Sequence, residues 1–74
     1  MNADDTIDQL KHRAALYAPR GRPALFRVAL GVRLHCRAVD GVHRFDLNGV
    51  PISERAAATI IASREPGAYR VAVR

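Results

Sequence analysis

The sequence has a single cysteine, Cys36, no tryptophan, and only four aromatic residues, Tyr17, Phe26, Phe45 and Tyr69. A lone thiol forms no internal disulfide, so no covalent staple supports the core, and a reducing compartment is expected. So few aromatics leave little from which to line a deep ligand pocket. No apolar run approaches the roughly 20 residues needed to span a bilayer. The first ten residues carry Asp4, Asp5 and Asp8 and no base, the reverse of the basic-then-apolar start of a secretory signal. These absences lead to the expectation of a soluble cytoplasmic protein with no membrane partner.

Lysine is also scarce. Of the 12 basic residues only Lys11 is a lysine, and the remainder are arginine. Formal net charge is +5, distributed as −3 over residues 1–10 and +8 beyond. A genome rich in G and C, whose codons favour Arg and Ala, would produce this composition without any partner. The alternative is an arginine surface for phosphates or carboxylates, which guanidinium groups hold in bidentate geometry. Composition does not separate the two; placement must.

At 74 residues the chain is expected to form one domain, with residues 1–4 disordered. A chain this short hides only about 60% of its unfolded surface and is marginally stable. Its 49% hydrophobic content is nevertheless enough to fold, and argues against wholesale disorder.

Ile7, Leu10, Ala14 and Tyr17 recur at helical spacing and predict an amphipathic helix over 4–18. Pro19 stops it, and Pro19, Arg20, Gly21, Arg22 and Pro23 form a stiff basic connector. From Leu25 to Val39 the period becomes two. Phe26, Val28, Leu30, Val32, Leu34, Cys36 and Ala38 share one face; Arg27, Ala29, Gly31, Arg33, His35 and Arg37 share the other. This reads as one long strand, with a bend or bulge at Gly31. Asp40-Gly41 is a two-residue turn of the primed type, which predicts Leu34 opposite Leu47, His35 opposite Asp46, Cys36 opposite Phe45, Arg37 opposite Arg44, Ala38 opposite His43 and Val39 opposite Val42. Directly opposed side chains point the same way, so Leu34, Cys36, Phe45 and Leu47 enter the core.

Asn48-Gly49 is a second turn signal. Pro51 cannot donate to a ladder, which makes Val50-Pro51-Ile52 an edge or a loop. Ser53 caps a second helix, ERAAATIIAS, whose apolar face is Ala56, Ala57, Ile60 and Ile61. The tail alternates again, with Tyr69, Val71 and Val73 on one side and Arg70, Ala72 and Arg74 on the other. The expected fold is α+β, a small two-layer sandwich in the order α-β-β-α-β. Three strands form the sheet, both helices cover one face, and the last strand lies beside the first.

In that arrangement the bare face collects Arg27, Arg33, Arg37, Arg44, Arg70 and Arg74, with His35 among them. A merely solvated face must also be polar, and arginine stems cover apolar surface while keeping the charge wet. Arg37 opposite Arg44 weighs against that account, because like charges across a ladder are destabilising. The expected partner is nucleic acid or an acidic protein surface, of the sort met by accessory, regulatory or phage-type interaction proteins of bacteria. No aromatic is expected on the basic face, which disfavours readout by base stacking. An unpaired edge at the last strand leads to the expectation of a weak homodimer.

Catalytic readings are weaker. His35, Cys36 and His43, with His12, suggest a metal site, but neighbouring strand residues point to opposite faces, and a small buried thiol accounts better for Cys36. His35 with Asp46 could act as a general base, but on a flat, wet surface, whereas catalytic sites are concave. There is no Gly-rich phosphate loop, carboxylate cluster or nucleophile elbow. A non-enzymatic binding module without metal or cofactor is expected.

Overall fold

In a computed structural model, which describes residues 2–64, the chain is α+β. Helix α1 (Ala3–Tyr17) is followed by a short 3-10 turn (Ala18–Arg20). Four strands come next, β1 (Ala24–Ala29), β2 (Val32–Val39), β3 (Val42–Leu47) and β4 (Val50–Ile52), and then helix α2 (Glu54–Ser63). The strands form one antiparallel sheet in the order β1-β2-β3-β4.

Each helix starts where the side chains supply a cap. Asn2 accepts from the Asp5 amide at 2.9 Å, and Ser53 accepts from the Ala56 amide at 3.0 Å, satisfying donors that have no partner inside the helix. Ile7, Leu10 and Ala14 of α1 are buried, as are Ala56, Ala57, Ile60 and Ile61 of α2. Tyr17, expected on the buried stripe, is 38% exposed, because α1 ends there and the chain turns away at Pro19. Both helices pack on one side of the sheet, against Ala24, Val28, Leu34, Cys36, Phe45, Leu47 and Ile52.

The central hairpin has the predicted register at all six positions, from Leu34 opposite Leu47 to Val39 opposite Val42. Asp40 and Gly41 both have positive φ, 51° and 78°, the condition a two-residue primed turn imposes. Asn48 and Gly49, at 49° and 86°, do the same between β3 and β4. Val50–Ile52 is an edge strand, and its Pro51 lies opposite Asp46.

The single strand expected over Leu25–Val39 is instead two strands folded back at Leu30-Gly31. Fifteen extended residues would reach about 50 Å, and the longest dimension of the fold is 32 Å. Leu30, expected in the core, sits on the turn and is 99% exposed. Among the described residues the expected order α-β-β-α-β with three strands is thereby corrected to a four-stranded meander between two helices. The strand expected at Tyr69–Arg74 lies outside the described residues.

A bulge keeps the alternation intact across this correction. Ala29 lies opposite Val32, but Arg27 lies opposite Arg33, with Val28 the extra residue between them. A regular ladder closed by the pair Ala29 and Val32 would set Arg27 opposite Leu34 and aim its guanidinium at the helices. The additional residue shifts the register by one, so Phe26 meets Leu34 and Arg27 stays outside.

Candidate anion-binding face

On the outer side of the sheet the register builds three rows. The central row runs Leu25, His35, Asp46, Pro51 from β1 to β4. Arg27 and Arg33 form a directly opposed pair on one flank, and Arg37 and Arg44 form another on the opposite flank. Five of the seven residues expected on a basic face, Arg27, Arg33, His35, Arg37 and Arg44, are thus brought together. Arg70 and Arg74 lie outside the described residues. Among the described residues no element packs over this face.

The central pair is satisfied. Asp46 Oδ1 lies 3.0 Å from His35 Nδ1 and accepts a 3.0 Å bond from the Gly49 amide. One carboxylate oxygen therefore both orients the imidazole and closes the second turn. The His35 and Asp46 side chains are only 25% and 21% exposed, and their mutual contact accounts for both as a cross-strand pair.

The four arginines differ. All are exposed, and among the described residues none enters an ion pair or a side-chain hydrogen bond; the polar side-chain contacts there include the Lys11–Glu54 ion pair and the His35–Asp46 hydrogen bond. Two like-charged pairs straddle the hydrogen-bonded His35 and Asp46. Sequence parity identifies the Arg37/Arg44 pair through the Asp40-Gly41 turn. It does not identify Arg27 opposite Arg33, because that pairing needs the bulge.

Two further features lie outside the seven residues expected on the face. Leu25, Val39 and Val42 are 47%, 46% and 52% exposed and give the basic face an apolar margin; the alternation itself assigns them there. Asn48 is a clamp. Its Oδ1 accepts from the Arg33 amide at 2.9 Å, its Nδ2 donates to the Gly31 carbonyl at 3.1 Å, and its own amide donates to the Arg33 carbonyl at 2.9 Å. No local pattern announces a contact made 15 residues away.

The His and Cys side chains considered for metal binding or catalysis are not brought together among the described residues. Cys36 is fully buried, and burial pushes its thiol up to about 11 from the ordinary 9.0, the wrong direction for a nucleophile or a metal ligand at neutral pH. His35 points to the other side of the sheet from Cys36. Among the described residues no three His, Cys, Asp or Glu side chains cluster as metal ligands. A groove of about 470 Å³ does run along β3 and β4, where Arg44, His43 and Pro51 meet Ser53 and Glu54. Among the described residues no helix is long and apolar enough to cross a membrane.

No known protein family matches the chain, and neither does any curated protein or solved structure.

Proposed function

We propose that the chain is a non-enzymatic binding module whose outer sheet face contacts an anionic macromolecule, with nucleic acid the first candidate. The observation that carries this reading is the pair of pairs. Arg27 faces Arg33 and Arg37 faces Arg44, with no acidic partner supplied to any of them among the described residues. An outer face tuned only for solubility would intersperse signs, because like charges directly opposed on a ladder are destabilising. A phosphate backbone relieves that repulsion, and the release of its counterions adds affinity.

An acidic protein surface is the second reading, and the exposed Leu25, Val39 and Val42 favour it, since apolar margins are ordinary in protein interfaces. The two separate on one titration. The triple variant Arg33→Gln, Arg37→Gln, Arg44→Gln is compared with the parent for binding mixed-sequence DNA and RNA across a salt series. Each phosphate contact contributes about 0.7–0.9 to the slope of log affinity against log salt, so the variant's slope should be flatter by about two to three. No association with any nucleic acid at low salt rejects the nucleic-acid reading and leaves the acidic protein surface.

A further inference from the structure

The hairpin of β2 and β3 outruns the strands on both sides of it. β1 begins at Ala24, opposite Cys36, and β4 ends at Ile52, opposite Phe45. The last three pairs, Arg37 with Arg44, Ala38 with His43 and Val39 with Val42, therefore continue as a two-stranded ribbon capped by Asp40-Gly41. Cationic groups line both flanks of this ribbon. On the β2 side, Arg37 and Asp40 share a cleft of about 350 Å³ with Ala18, Gly21 and Arg22. That brings the basic connector, which the sheet face does not use, alongside the ribbon. On the β3 side, His43 and Arg44 form one wall of the 470 Å³ groove. The two carboxylates in that groove are already engaged, Glu54 by Lys11 and Asp46 by His35.

We infer that the occupant of this surface is double-stranded DNA, with the ribbon seated in the major groove and the flanking arginines against its phosphate walls. The inference rests on the nucleic-acid reading of the outer face and names its ligand. A major groove about 12 Å wide admits a two-stranded ribbon, whose strands are about 4.8 Å apart. The deep, narrow major groove of A-form RNA does not admit one. A single strand offers no second wall, and its usual platform is a stack of aromatics. The described aromatics lie elsewhere: Phe26 and Phe45 belong to the inner face, and Tyr17 ends α1. Arg37 and Arg44, opposed at the base of the ribbon, carry the side chain best suited to guanine O6 and N7. Asp40, at the apex, has a carboxylate suited to the cytosine amino group at the groove floor.

The test uses the full chain and three labelled probes of one sequence, each about two helical turns long where duplex. These are duplex DNA, its single strand and the corresponding duplex RNA, compared by anisotropy at low salt. Duplex DNA should bind at least about tenfold more tightly than either of the others. Dimethyl sulfate footprinting should show protection of guanine N7, in the major groove, and none of adenine N3, in the minor groove. Arg22→Gln, which lies off the sheet face, should weaken duplex binding while leaving the melting temperature unchanged. Equal or tighter binding of the single strand or of duplex RNA overturns the proposal and leaves the nucleic-acid reading standing, as does protection confined to adenine N3. Failure of all three probes to bind removes both.

Discussion

On the inner side of the sheet, Leu34 stands opposite Leu47, Cys36 opposite Phe45 and Phe45 opposite Ile52, and every one of these side chains is buried. On the outer side, the same strands oppose Arg27 to Arg33 and Arg37 to Arg44, leaving all four exposed. The inner pairs gain from each other directly, through apolar surface removed from water. The outer pairs repel. One backbone thus holds a face whose residues explain its folding and a face whose residues fold in spite of their neighbours. A sequence under selection for stability alone has no reason to keep the second arrangement twice. The His35–Asp46 contact between the pairs shows that complementary hydrogen-bonding partners fit the same ladder.

The largest effect is expected where the inner face is cut. Phe45→Ala removes a buried ring that spans β2 and β4 and should cost about 3–5 kcal/mol. In so small a domain that approaches the whole stability. Chemical denaturation of the variant checks it. A melt within a few degrees of the parent would mean that Phe45 is not the centre of the core.

The inner face also makes stability fall on the alkaline side. Cys36 keeps its proton in the folded state up to about 11, whereas an exposed thiol loses it near 9.0. Stability is therefore complete below the lower value and is lost as pH rises toward the higher one, because the unfolded chain releases the proton first. A shift of this size corresponds to about 3 kcal/mol. The Lys11 ammonium, held up by its contact with Glu54, has the same sign and acts at still higher pH, weakly, since both side chains are partly exposed. Denaturation between pH 8 and about 11 should show the decline, and Cys36→Ala should flatten it. A parent profile flat to pH 11 would contradict the burial of the thiol.

The two faces meet at Asn48, which holds the Arg33 amide and the Gly31 carbonyl from a left-handed backbone conformation. Asn48→Ala loses both side-chain bonds and places a Cβ residue without local hydrogen bonding at positive φ, for about 1–3 kcal/mol in all. Asn48→Gly keeps the backbone and loses only the bonds, so its cost should be smaller. Equal costs in the two variants would show that backbone strain contributes nothing there.

Legibility in the sequence follows the range of the forces involved. The central hairpin could be read residue by residue, because Asp40-Gly41 fixes the turn and the alternation fixes which side chains turn inward. The second helix was readable to its ends, because Ser53 is a local cap. The fold-back at Leu30-Gly31 was not. Seven apolar positions at period two describe a long strand and a hairpin equally well when the turn has a leucine at its first position. Only the limited extent of the core decides between them. The basic face survived that error because the bulge at Val28 restores the alternation, and the bulge leaves no mark in the sequence. The clamp at Asn48 and the place of Arg22 beside the ribbon depend on contacts between distant segments, which periodicity does not encode.

The smallest expected effect bears most directly on the difference between the faces. Arg37→Gln removes the repulsion from Arg44, and Arg27→Gln removes that from Arg33. Each should raise stability by a few tenths of a kcal/mol at low ionic strength. In 1 M salt, where the Debye length is about 3 Å, the gain should vanish. The double variant Arg37→Gln, Arg44→Gln should gain no more than either single change, because one repulsion is removed only once. Thermal melts of the parent, Arg37→Gln, Arg44→Gln and the double variant at two salt concentrations complete the cycle. If instead each single change costs stability and salt makes no difference, the arginine stems are covering Leu25, Val39 and Val42 as packing. The outer face would then be a second structural face, and its charge would need no partner.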